Sequence, residues 1–452
     1  MEKALIITAP ITSHILPSFF LAELLSEEYD VIYATASGSL KELVIANGYE
    51  HYPLDTVRFA CGFDPIDVYN RSGQKRTLRT AISIFYNALR HKTFYRRREE
   101  LGAILAKVKP SLVVIDVFSY TDLLVVKTLD SKINVVYFNP MLNILESRYP
   151  DVRGQKKEHQ EKKNKALYRI ILDRLSPLPL LANAAAYNPK GQLRWVFNKY
   201  PFLKKYSTHS GNNLVRLFQN VPEIILAPLE LEFGPDVRRE HQIYAGFSIP
   251  QKRIDIDCDP TFKHYFKEIL NLKEEGRKLV YCSFGTYFSS KDEHRYVIAF
   301  FTLLIHAFRN ESSIVFIIAS KDTITEAVKA QTNIPKNFFI FTKVPQLSVL
   351  AHSDLFITHG GLGSIKEALY KAVPMLVYPL DLNWDQAGNA LKIKYHDLGL
   401  SGNFRSDGAN EIFSNTMKVL NNPRYVENCR RLNRLISSSY SSSQIIQFLS
   451  LK

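Results

Sequence analysis

Three groups of residues in this 452-residue chain have types and spacings that could do chemistry. The densest is 359–364, His-Gly-Gly-Leu-Gly-Ser, which follows the apolar run 354–358, Asp-Leu-Phe-Ile-Thr. A strand that runs into a glycine turn and then a helix leaves backbone N–H groups free at the helix start. With the positive end of the helix dipole behind them, those groups make an anion site. The second is His14, just after the apolar run 4–9, because imidazole is the side chain tuned for proton transfer near neutral pH. The third is Asp116, the last residue of Leu-Val-Val-Ile-Asp, at the kind of strand end where open α/β sheets carry functional groups. Each has a plainer reading. The glycine spacing is neither the dinucleotide fingerprint nor the phosphate loop, a helix-entry histidine can merely cap backbone, and a strand-end aspartate can cap the next turn.

The elements that must position these groups follow from periodicity. Apolar strands at 4–9, 31–34 and 112–116 alternate with helical patterns at 13–28 and 101–108, the rhythm of a parallel, doubly wound sheet. The first helix is expected to turn Leu16, Phe19, Phe20, Leu24 and Leu25 inward and Glu23, Glu27 and Glu28 outward. Between 137 and 221 the pattern loosens, and 139–148 is placed to line a cleft. A second unit starts after strands at 224–227 and 242–247. The stretch 248–260 has linker character, and strands follow at 279–286, 314–319, 338–341 and 375–378. The helix after Gly363 is expected to run through Ile365, Leu369 and Val373 until Pro374 stops it. The domains are therefore 1–247 and 261–452, joined by 248–260.

Composition narrows the class. The formal net charge of +14 owes much to two runs, 90–98 and 153–165, the second of which reads as a solvated helix face or mobile loop. That balance favours an anionic co-substrate and admits a weak contact with an anionic membrane surface; no nucleic-acid module accompanies it. The four cysteines have no paired-ligand spacing, and no segment offers about eighteen uncharged apolar residues, so a cytoplasmic protein is expected. Asp255, Asp257 and Asp259 invite a metal reading through their alternation. They lie in polar linker sequence and are read as solvated, with no metal expected.

Residues 343–390 resemble the signature of the nucleotide-sugar-dependent glycosyltransferases that act on small lipophilic molecules, with plant, animal and macrolide-modifying members. The resemblance rests on Pro345-Gln346, Leu350, His352, Phe356, His359, Gly361, Ser364, Glu367, Val373-Pro374, Pro379, Asp385-Gln386 and Asn389-Ala390. It implies a GT-B fold, two Rossmann-like domains facing across a cleft, with the final helix crossing back to the first domain. It further implies His14, within His-x-x-Pro, as general base and Asp116, within Asp-x-Phe, as the carboxylate that orients it. Ser283, Gly285 and Thr286, in Ser-Phe-Gly-Thr, resemble the first donor-domain turn. By the same resemblance Val344 and Gln346 border the base and Glu367 holds the ribose. His359, Gly361, Gly363 and Ser364 meet the diphosphate, and Asp385 and Gln386 grip the sugar.

The implied donor is a UDP-sugar, by default UDP-glucose. The chain departs from the family pattern in four places: Ser13 stands for a glycine, Lys343 for a tryptophan that stacks on the base, Gly363 for an asparagine, and 379–385 is two residues longer. A polyphenol, carotenoid, polyketide or lipid hydroxyl each suits these residues as acceptor. The alternatives are a membrane-surface lipid or carotenoid glycosyltransferase and a non-catalytic nucleotide-sugar-binding partner protein.

Overall fold

The computed structural model describes residues 1–60, 90–142, 149–150, 153–154, 189–207, 209–211, 216–218, 220–255, 257–285, 291–382 and 384–450. Its strands are β1 (Glu2–Ile7), β2 (Tyr29–Thr35), β3 (Glu50–Pro53), β4 (Leu112–Asp116), β5 (Asn134–Asn139), β6 (His209–Gly211), β7 (Arg216–Phe218), β8 (Glu223–Ile225), β9 (Gln242–Tyr244), β10 (Lys278–Ser283), β11 (Ile314–Ala319), β12 (Phe338–Phe341), β13 (Leu355–Thr358), β14 (Met375–Val377) and β15 (Gly399–Ser401). Apart from the β6–β7 hairpin they form two parallel sheets, ordered β3-β2-β1-β4-β5-β8-β9 and β12-β11-β10-β13-β14-β15.

Both sheets are apolar on both faces, as parallel sheets covered by crossover helices must be. Along β1, Leu5 and Ile7 enter one core while Ala4 and Ile6 enter the other. Along β10, Leu279 and Tyr281 divide from Val280 and Cys282 in the same way. The strand order reverses between β1 and β4 in the first sheet and between β10 and β13 in the second. Each reversal opens a crevice at the carboxyl ends of its two central strands.

The two units share apolar packing. Ile225, Leu231 and Val237 lie in one cluster with Ile365, Leu369 and Ile393. The helix Ser442–Ser450 returns to the first unit, where Ile445 and Leu449 join Ile6 and Phe19, and Asn134 Nδ2 donates to Leu449 O at 3.2 Å. Tyr440 acts as a second clasp: its hydroxyl donates to Glu230 and accepts from Leu229 N.

Several sequence expectations shift. In the helix Thr12–Leu25, Leu16 and Phe20 are only half-buried, while Ile15, Leu21 and Ala22 are buried, because neighbours cover a wider face than one stripe. Glu23 is not a free outward charge; it accepts from the backbone N–H groups of Gln251 and Lys252, both at 2.8 Å. The run 90–98 is largely the start of the helix Lys92–Val108, and Arg97 within it is buried, forked onto Asp122 at 2.9 and 2.6 Å. The helix Leu362–Tyr370 ends before Val373, because Ala372 turns into the left-handed region at φ 55°.

Candidate functional site

The first crevice holds a paired histidine. β1 delivers the chain into Ile11, which precedes the helix Thr12–Leu25, and His14 falls in its first turn. Asp116 ends β4 and is fully buried. Its Oδ2 accepts from Ala9 N at 3.0 Å and its Oδ1 from Phe118 N at 2.8 Å. His14 Nδ1 lies 2.9 Å from Oδ2 and 3.1 Å from Oδ1. An ionised carboxylate only accepts, so Nδ1 carries the proton and Nε2 presents a lone pair. The Phe118 ring sits 4.5 Å from the imidazole, and Arg58 donates to Phe118 O at 2.7 Å, which fixes the wall of the crevice.

The second crevice is built from glycine and backbone. Gly285 follows β10 at φ 72°, and His359 and Gly360, at φ 90°, follow β13. A Cβ on Gly285 would stand 2.9 Å from the His359 ring, and one on Gly361 only 2.7 Å from it. The imidazole is therefore held between two glycines. Gly361 precedes the helix Leu362–Tyr370 with no side-chain cap, so the first N–H groups of that helix keep their hydrogen-bonding capacity. Around Gly363 nothing lies within 4 Å of a Cβ position. Burial pushes the His359 pKa down to about 4, which keeps the ring neutral near pH 7, and its Nδ1 has no hydrogen-bond partner among the described residues.

Beside this crevice the residues expected to meet base and ribose form one network. Gln346 Nε2 donates to Glu367 Oε2 at 2.9 Å and Ser364 Oγ at 3.3 Å, and Tyr281 OH donates to Gln346 Oε1 at 3.3 Å. Val344 turns its side chain into the core, so only its backbone can border a ligand. Ser283 is buried beside Tyr281, and Thr286 lies outside the described residues.

Asp385 stands between the two crevices. Asn389 Nδ2 donates to its Oδ2 at 2.9 Å and also to Gly360 O at 2.9 Å, tying the Asp385 carboxylate to the glycine turn. Burial raises the Asp385 pKa; the Asn389 hydrogen bond and the charge that His14 can carry work against that rise. Its neighbour Trp384 stands 6.1 Å from Phe118, ring to ring, so the second domain reaches the wall of the first crevice. Gln386 spends its carbonyl on the loop, accepting from Leu380 N at 2.8 Å and Asp381 N at 3.0 Å.

The carboxylates of 255–259 are not simply solvated. Asp255 pairs with Arg253, and Asp259 accepts from Thr342 N at 3.0 Å and Thr261 N at 2.9 Å, because the segment is strapped to the second domain. Sequence reasoning missed Arg253 and Lys366. Neither belongs to a motif, and a linker arginine or a mid-helix lysine is ordinarily a surface charge.

Residues 264–438 match the family described as UDP-glucoronosyl and UDP-glucosyl transferase. A curated relative, the uncharacterized UDP-glucosyltransferase YdhE of Bacillus subtilis (strain 168), is 29% identical over 238 residues, 52% of this chain and 54% of its own. The NDP-glycosyltransferase YjiC of the same organism is 39% identical over 113 residues, 25% of this chain and 26% of its own. The chain thus spans about half the length of the first relative and about a quarter of the second. Among solved structures, the glycotransferase of kitacinnamycin superposes with a TM-score of 0.66 at 16% identity over 99% of both chains. The glycosyltransferase VinC in complex with dTDP gives 0.63 at 14% identity, covering 99% of this chain and 98% of its own. At such identities the likeness concerns the fold, and it bears out the GT-B architecture of two Rossmann-like domains. Among the described residues no helix is long and apolar enough to cross a membrane.

Proposed function

We propose that this chain, matched by the UDP-glucoronosyl and UDP-glucosyl transferase family over residues 264–438, is an inverting glycosyltransferase that moves a sugar from a UDP-sugar to the hydroxyl of a small lipophilic acceptor. The observation that carries the reading is the pairing of two unlike crevices: an Asp116-oriented histidine in one, an uncapped helix start with a neutral histidine in the other. In this reading His14 Nε2 takes the acceptor proton as its oxygen bonds to the anomeric carbon, while the bond from that carbon to the diphosphate oxygen breaks. Asp116 holds the imidazole and stabilises the imidazolium that forms. The charge released on the diphosphate falls to the N–H groups of Leu362, Gly363 and Ser364 and to the His359 ring. Asp385 holds sugar hydroxyls, and glucose is the default sugar.

Because the diphosphate is met by N–H groups and hydroxyls, no metal step is needed, and chelation is expected to leave the rate nearly unchanged. The test is mass spectrometry of the purified protein incubated with UDP-glucose, other nucleotide sugars and a panel of phenols, alkyl alcohols and lipids, with and without EDTA. A product heavier by one hexose supports the reading. Tight UDP binding with no product across the panel would replace it with a non-catalytic nucleotide-sugar-binding protein. Loss of turnover in EDTA that magnesium restores would overturn the metal-free mechanism.

A further inference from the structure

The segment 248–260 joins two domains, yet one of its side chains is built into the donor site. The Arg253 side chain is 7% exposed, and its Nη1 donates to Glu367 Oε1 at 2.6 Å. Asp255 holds the other side of the guanidinium, with Oδ1 at 3.2 Å from Nε and Oδ2 at 3.5 Å from Nη2. The second oxygen of Glu367 is taken by Gln346 Nε2 at 2.9 Å. One donor on each oxygen sets the plane of the carboxylate, and each oxygen keeps a lone pair for a further donor. A buried arginine between two carboxylates adds little net stability, so its place here calls for another reason.

We propose that Arg253 is a positioning residue for the ribose: it holds Glu367 in the orientation that accepts the vicinal 2′- and 3′-hydroxyls, and the site thereby selects ribonucleoside over 2′-deoxyribonucleoside diphosphates. The inference rests on the nucleotide-sugar reading of this site. It is not carried by the fold, since the same architecture is found in a glycosyltransferase solved with dTDP. Without Arg253 the carboxylate keeps Gln346 as its neighbour, loses its charged partner, and is free to turn away from the diol. The linker position adds a consequence: Gln251 and Lys252, immediately before Arg253, are bound to Glu23 of the first domain, so the strap that sets the ribose site is anchored on both sides of the cleft.

Calorimetry of UDP and 2′-deoxy-UDP with the parent protein, Arg253→Met and Arg253→Lys tests this. The parent is expected to favour UDP by about tenfold or more, the worth of one hydrogen bond to a charged group. Arg253→Met is expected to bring that ratio close to one, with 2′-deoxy-UDP affinity little changed; Arg253→Lys, which keeps the charge and loses the fork, should retain part of it. The ratio separates positioning from general damage, because a misfolded site loses both ligands together. If Arg253→Met does not fold, a parental ratio in Arg253→Lys overturns the need for the fork. An unchanged ratio in Arg253→Met overturns the inference and leaves the donor site standing, whereas a parent that binds neither nucleotide removes the donor-site reading and this inference with it.

Discussion

The two sheets reverse strand order in the same way, β3-β2-β1-β4-β5 in one and β12-β11-β10-β13-β14 in the other, and each puts a histidine at its reversal. The surroundings of those histidines are opposite. His14 faces a carboxylate whose oxygens both lie within 3.1 Å of its Nδ1, and that carboxylate is itself held by two backbone N–H groups. His359 lies between two glycines, and burial alone drives its pKa down to about 4. In the proposed reading, one crevice is prepared for a positive charge to appear and the other for a negative charge to arrive. The shared topology supplies the place; the residues at the strand ends decide which half-reaction each place can serve.

Removing the prepared charge should produce the largest effect. A positioned general base contributes on the order of 100-fold to 10,000-fold, so His14→Ala should lower kcat by about that range while UDP binding stays near parental. Asp116→Asn keeps the imidazole but loses the charge that sets its tautomer, and it should impair the same step less. A phenol that ionises readily should suffer less than an alkyl alcohol from either change. Rates for both variants on one acceptor of each kind, beside UDP calorimetry, decide it. Parental turnover throughout would erase the difference between the two crevices.

The donor histidine should act on binding. His359→Ala removes one hydrogen-bond donor to a charged ligand, so UDP affinity should fall by about tenfold to a hundredfold. The resting ring should stay neutral in an NMR titration until the pH falls toward 4, and UDP should raise its pKa, because an adjacent anion favours the imidazolium. An imidazole that titrates near 6.5 in the free protein would show that the second crevice is no more prepared than water.

How much of this was legible depended on how locally each part is encoded. Strand, glycine turn and helix start are contiguous at 354–364, so an anion site could be read there from the residues themselves, while the base, ribose and sugar roles within 343–390 came only from the resemblance. His14 and Asp116 are 102 residues apart, and only a resemblance could pair them. Arg253 was invisible because its partner Glu367 lies 114 residues away and nothing in Gln-Lys-Arg distinguishes a buried guanidinium from a solvated one. Arg97 teaches the same lesson: within a run of like charges, the one whose fork meets Asp122 reads no differently from its exposed neighbours. Ala372 ended a helix early because a left-handed turn at a non-glycine residue leaves no compositional mark.

Lys366 extends the contrast from function to stability. It lies on the donor helix beside Glu367, 2% exposed, and its Nζ donates to Leu226 O and, at 2.7 Å, to Ser248 Oγ. Burial lowers its pKa to about 7, with Glu367 acting to raise it and Arg253 to lower it further. A lysine depressed in the folded state binds fewer protons there than in the unfolded chain between about pH 7 and 10.5. Stability from this group is therefore present at alkaline pH and is lost as pH falls toward 7, by at most about 1.4 kcal/mol per pH unit. Lys366→Met has no such titration. Urea unfolding of both proteins at pH 7 and pH 9 should show the parent gaining on the variant at the higher pH. A difference that stays flat would mean the ammonium is held charged in the fold, and would set Lys366 apart from the burial-neutralised histidine of the second crevice.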